Sequence, residues 1–178
     1  SNPLAAAILE PEKGIVVPLM SGTTSKLYLH RITAMTVAAG ATSISNQNQP
    51  LILLDYVLFY PFVDMDSVGE EQTMSQPVAL PRYTNGEGLK IMMVAQSPTV
   101  GGGRFTVTYI GSDDVQYTTE SLYCAAAQPA GALVLSVGGA AGVTPFIPLA
   151  PGVKGVKSIV SCNFSVGNGG LVSLVIVK

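Results

Sequence analysis

Residues 101–119 read GGGRFTVTYIGSDDVQYTT, and their pattern decides the fold class. Phe105, Val107 and Tyr109 fall on one face of this stretch, with Arg104, Thr106 and Thr108 on the other. A period of two, built from β-branched and aromatic residues, predicts a half-buried strand. Gly111, Ser112, Asp113 and Asp114 then supply turn residues. Val115-Gln116-Tyr117-Thr118-Thr119 resumes the alternation, so residues 104–119 are expected to form a β-hairpin.

The neighbouring stretches read the same way. In residues 89–96, Leu89, Ile91, Met93 and Ala95 share one face. The preceding Thr84-Asn85-Gly86-Glu87-Gly88 is a turn, in which Asn-Gly suits positive φ at both central positions. Residues 51–63 form the longest apolar run. Asp55, Pro61 and its β-rich content make it a buried strand, with 51–60 covered on both faces. Short strands are expected at 73–80, 121–127, 132–137 and 143–149, the last kept at an edge by Pro145 and Pro148. In residues 156–166, Val156, Val160, Cys162, Phe164 and Val166 are expected to face one way. Residues 171–177 form the closing strand. Upstream, 14–20 reads as a short edge piece and 27–37 as a strand whose phase shifts near Arg31, as a β-bulge would cause.

About nine to eleven strands at this spacing predict an all-β chain. No composition break divides it. The expected architecture is one antiparallel β-sandwich over residues 15–178, jelly-roll-like, preceded by an N-terminal arm. Residues 1–14, SNPLAAAILEPEKG, differ in character. Ala and Leu favour a turn or two of helix over residues 4–10, ended by Pro11 and Gly14 and too short to stand alone. The arm must dock on its own domain or on a neighbouring subunit. Pro3, Leu4, Ile8 and Leu9 are its candidate assembly contacts.

Composition bears on function. Hydrophobic residues make up 48% of the 178, charged residues 11%, and the net charge is −2. Mean hydropathy is +0.44. Ordinary soluble domains carry roughly a quarter charged residues. So few charges point to a surface that meets other protein. The nine Lys and Arg are scattered, with no basic stripe for nucleic acid. No apolar stretch reads as a membrane-spanning helix.

Chemistry is hard to find. His30 is the only histidine, it lies in an expected strand, and no G-x-S-x-G elbow accompanies it. Asp55 is an acid inside an apolar run, which calls for an ion pair or hydrogen bond, with Arg31, Arg82 or Arg104 as partner. Asp113 and Asp114 serve turn geometry. Residues 64–71, DMDSVGEE, hold four of the eleven acids. Asp64 and Asp66 alternate as Ca²⁺ ligands could, but the regular spacing and closing Glu of an EF-hand are missing, so a solvated acidic loop is expected. The glycines of 101–103 lack the lysine and helix of a phosphate-binding loop. Cys124 and Cys162 match no metal motif and read as buried apolar residues. Tyr56, Phe59, Tyr60, Phe62, Tyr83, Tyr109, Tyr117 and Tyr123 suit core and interface packing better than sugar stacking. No enzyme, metal or cofactor is expected.

Four segments carry a resemblance: LYLHRITAM, TNGEGLKIMMVAQ, GGRFTVTYIGSDDVQYTT and TPFIPLAPGVKGVKSIVSCNFSVGNGGLVSLVIVK. In pattern and order they resemble a loosely defined group of tailed-bacteriophage virion proteins. The matching positions are Thr84 to Gly88, Thr108 to Asp114, Pro145 to Ser158, and the final strand from Leu171. The hairpin turn Ile110-Gly111-Ser112-Asp113-Asp114 departs from that group's Asn-containing turn, and residues 51–63 depart as well. The resemblance implies a virion structural protein of the capsid, assembled in the host cytoplasm. It would act as a cement or decoration protein, with the major capsid protein as partner and a homotrimer as favoured oligomer. Another virion part (tail, connector or fibre) and a host-glycan binding module are the alternatives.

Overall fold

Strand β5 (Gly103–Gly111) is the hub of one sheet. The computed structural model describes residues 7–8, 52–74, 79–124, 126–134, 145–167 and 169–178. As the alternation predicts, β5 turns back into β6 (Gln116–Thr118), with Tyr109 opposite Tyr117. Phe105, Val107 and Tyr109 are buried. The turn closes through Asp114 N donating to Gly111 O at 3.1 Å, with Asp114 at φ 64°, a conformation that Asp tolerates better than most residues. β5 also pairs with β7 (Leu122–Cys124) and, on its other edge, with β9 (Val156–Phe164). β3 (Glu71–Thr73) adds to β9. The order is β3-β9-β5-β6, with β7 beside β5.

The second sheet runs β1-β2-β10-β4-β8. Its members are β1 (Ala7–Ile8), β2 (Tyr56–Asp64), β10 (Leu171–Val177), β4 (Lys90–Ala95) and β8 (Phe146–Ile147). Every strand pairing is antiparallel. Leu89, Ile91, Met93 and Ala95 share the buried face expected of them and join Leu58, Tyr60, Val172, Leu174 and Ile176 in the core. Phe105, Val107, Tyr109, Ile159, Cys162 and Phe164 of the first sheet belong to the same core. Among the described residues the chain is all-β, in two five-stranded antiparallel sheets. The Tyr60 hydroxyl accepts the Ile159 N–H at 3.2 Å and so ties one sheet to the other. Phe105 and Phe164 pack with ring centroids 5.6 Å apart.

Several expectations need correction. In β9 the buried apolar residues are Val156, Ile159, Cys162 and Phe164, while Val160 is half-buried and Val166 exposed. The reason is a register shift: Thr108 faces Ser161 but Tyr109 faces Ile159, so Val160 is an extra residue in a bulge. The strand expected at 51–60 begins only at Tyr56, and Ile52 and Leu53 are exposed. Asn85 does not take positive φ; Gly86 and Gly88 do, at 73° and 74°. The turn closes from Gly86 N to Tyr83 O, so glycine stands at its last position rather than in its centre. Instead of helix, Ala7 and Ile8 form a strand whose backbone faces Phe59 and Leu58 on the edge of β2. An open sheet edge offers this extended pairing, and so short a segment has little helical stability to set against it.

By internal contacts the chain divides into a unit of Ser1–Leu9 with Asp55–Lys178 and a unit of Glu10–Leu54. Of the second, only residues 52–54 are described. The strands expected at 14–20 and 27–37, and the arm boundary at residue 14, lie outside the described residues.

Candidate functional site: the two ends of the sheets

The strands run between two ends, here called tip and base. Nine-residue strands such as β5 make them about 30 Å apart. At the tip, Asp66 Oδ1 accepts the Gly169 N–H at 2.7 Å, and Met65 N donates to Gly170 O at 3.1 Å. Asp64 Oδ1 accepts the Asp66 N–H at 2.9 Å. Thr99 is buried and fastened on both sides: its N–H reaches Gln128 O, and its hydroxyl accepts Gln128 N–H, each at 2.9 Å. The Ser97 hydroxyl accepts the Leu171 N–H at 2.7 Å. The loop is thus anchored, and it holds Val100 in solvent at 79% exposure. Val68 and Val166 are exposed at the same end. Gly167 and Gly169 leave room there: a methyl group would lie 3.0 Å from Val68 and 3.3 Å from Val100 respectively.

Phe62 adds a strained element. Between Val172↔Val63 and Leu174↔Tyr60, β2 carries two residues, Pro61 and Phe62, against Ser173 alone. Phe62 sits at φ 60°, an outlier for a bulky side chain. Its N–H donates to Gln96 Oε1 at 2.7 Å, and the ring is 45% exposed. Bulges of this kind re-aim side chains.

The base is closed by side chains. Arg82 grips both carboxylate oxygens of Asp55 and donates to Tyr56 O at 2.6 Å. The Tyr83 hydroxyl donates to Asp55 at 3.1 Å. Asp55 and Lys178 exchange backbone hydrogen bonds at 2.9 and 3.1 Å. Lys178 Nζ lies 5.4 Å above the Tyr83 ring and donates to Glu87 O. The hydrogen bonds from Arg82 hold the Asp55 carboxyl below the ordinary carboxylate range. Of the three partners expected for Asp55, the structure selects Arg82. Lys157 pairs with Asp114, and Asp113 accepts from the Tyr117 hydroxyl at 2.7 Å.

Ile8 lies in β1, whereas Pro3, Leu4, Leu9 and His30 are outside the described residues. Cys124 faces Gly103 and Cys162 faces Val107, on opposite edges of β5. That offset is beyond the reach of a disulfide. Burial pushes both thiols up, Cys124 to about 12, which suits inert packing. No group of three or more His, Cys, Asp or Glu is placed to hold a metal among the described residues. Shallow hollows are found among the described residues. One of about 340 Å³ lies beside the Lys157–Asp114 pair and Thr84. Another of about 240 Å³ is lined by Tyr56, Phe59, Val94, Ser173 and Val175.

Sequence reading missed Val100, and it placed Phe62 among the packing aromatics but missed its strained backbone. Val100 carried a signal, as a lone aliphatic residue between Pro98-Thr99 and three glycines. Phe62 carried none, because a bulge depends on the partner strand. No family model matches the chain, and no curated protein or solved structure does either.

Proposed function

We propose that the chain is a non-enzymatic virion structural protein that binds and stabilises a tailed-phage capsid shell as a cement or decoration protein. The observation that carries this reading is the order of strand pairing. Of the eight strands β2, β3, β4, β5, β6, β8, β9 and β10, the first pairs with the last, the second with the second last, and so inward: β2 with β10, β3 with β9, β4 with β8, β5 with β6. A chain doubled into one long hairpin and then wrapped makes those four pairs. Wrapping also brings β10 beside β4 and β9 beside β5. This supports a jelly-roll sandwich, an architecture used by capsid proteins and by lectins.

Fold alone does not choose between those uses. The low charge and the apolar side chains held out at both ends favour assembly. Each apolar contact would contribute about 25 cal/mol per Å² before association costs, and many copies on one shell would add through avidity. In this reading the chain works as a trimer on the major capsid protein, and the N-terminal segment, whose Ala7 and Ile8 pair with β2 of the same chain, adds to the contact surface. The groove at Tyr56 and Phe59 is what favours the second reading, a glycan-binding module.

The test is to mix the purified chain with empty shells of the phage whose particles carry it. Saturable binding, and shells that open at a higher temperature, are expected. Removal of residues 1–14 is expected to lower occupancy. A chain that neither binds nor protects the shell, but hits on a glycan array, would replace the first reading with the second.

A further inference from the structure

We propose that copies of this chain associate head to tail, the tip of one docking on the base of the next. This inference stands on the surface itself and does not rest on the capsid reading. At the tip, Asp64, Asp66, Glu70 and Glu71 face a single cation, Arg104. Around them stand Phe62, Val68, Val100 and Val166, all exposed. The base has the opposite balance: Arg82, Lys90, Lys154, Lys157 and Lys178 against Asp55, Glu87, Asp113 and Asp114. Thus five of the six described cations collect there. Two ion pairs, Arg82 with Asp55 and Lys157 with Asp114, cancel within the base and leave Lys90, Lys154 and Lys178 against Glu87 and Asp113. Exposed Tyr83 and Val115 lie among these charges.

An apolar centre with an acidic rim at one end therefore matches an apolar centre with a cationic rim at the other. Tip against tip would oppose like charges, which disfavours the two-fold alternative. Contact between unlike patches is heterologous, so it leaves a free tip and a free base after each addition and builds a ring or an open chain. The anchoring of Thr99 and Ser97 prepares the tip before contact, so little ordering is spent on docking.

Two double variants test it. The tip variant is Glu70→Lys with Val100→Lys; the base variant is Val115→Ser with Lys154→Ser, so the two altered ends do not attract each other. All four side chains are exposed, and circular dichroism with thermal melting establishes that each variant folds like the parent. In sedimentation velocity the parent is expected to rise at least about twofold in apparent mass on concentration. In 1 M salt, where charges are screened beyond about 3 Å, the same rise should need several-fold more protein. Each variant alone should remain a monomer. Their equimolar mixture should give a dimer and nothing larger, because one intact tip meets one intact base. A parent that stays monomeric, a variant that associates like the parent, or a mixture that stays monomeric would each overturn the proposal.

Discussion

The two ends of the molecule are closed by different means. At the base, side chains meet side chains: Arg82 on Asp55, Lys157 on Asp114, Tyr117 on Asp113. At the tip, the loops are tied mainly by side chains on backbone, Asp66 on Gly169, Ser97 on Leu171 and Thr99 on Gln128, while Glu70 and Glu71 accept from the hydroxyls of Ser67 and Ser161. Backbone anchoring frees the neighbouring side chains from structural duty. Val100 next to Thr99, and Val68 next to the Asp66 loop, are accordingly turned to solvent. The base pairs acids with cations, whereas the tip acids are held by hydroxyls and backbone N–H groups and keep their net charge.

The contrast can be broken by mutation, and the largest effect is expected at the base. Gly155 lies against the turn of residues 84–88, with Gly88 N donating to Lys154 O at 2.9 Å and Val156 N to Gly86 O at 3.1 Å. A side chain at 155 would collide with the Gly86 carbonyl and the Gly88 N–H. Gly155→Val is expected to cost about 3 kcal/mol or more in chemical denaturation. At the tip, Gly69 has open space around its added carbon and meets only the cost of its φ of 75°. Gly69→Ala should therefore lose about 1 kcal/mol.

Next comes the Asp55 clip. Both members of the pair are about one-third exposed, with side chains at 32% and 37%, so screening keeps its worth near that of a surface pair. Asp55→Asn is expected to cost about 1 kcal/mol at neutral pH. The sign of its pH dependence follows from the lowered carboxyl. The unfolded chain takes up the proton first, so the contribution is complete above the ordinary carboxylate range. It is lost as pH falls through the folded value. Parent and variant should converge in acid melts; a gap that stays constant down to pH 2 would remove Asp55 from the account.

Much of this was legible in the sequence. The hairpin around β5 and β6, the buried face of β4 and the closing strand β10 all follow from period-two alternation, which local sequence states directly. Register is another matter. Val160 was expected inside and is half-buried, because the bulge in β9 arises from what β5 offers opposite it. The partner of Asp55 had three options, and only the meeting of residues 55 and 82 at the base removes the choice. The tip was the least legible part. It is assembled from three loops far apart in the chain, around residues 66, 99 and 169, whose glycines and acids each read as ordinary turn chemistry.

A smaller effect tests the strained residue at the tip. Phe62 occupies left-handed backbone space, which β-branched residues resist and asparagine tolerates. Phe62→Val should be less stable than Phe62→Asn by about 1 kcal/mol, although valine is the better strand residue elsewhere. The reverse order in thermal melts would mean that the bulge is not formed. The smallest effect belongs to Val100. Val100→Ser should change stability by less than about 0.5 kcal/mol, as for other exposed sites, while weakening association.

Hydrogen exchange of the parent chain at low and at high concentration tests most directly the claim that the two ends are complementary. Concentration is expected to slow exchange together at residues 65–70, 96–102, 165–167 and 169–170 of the tip and at residues 81–89 and 111–115 of the base. Slowing at one end alone would mean a two-fold contact, and no slowing at either would mean that the ends do not meet. Either result would contradict head-to-tail assembly.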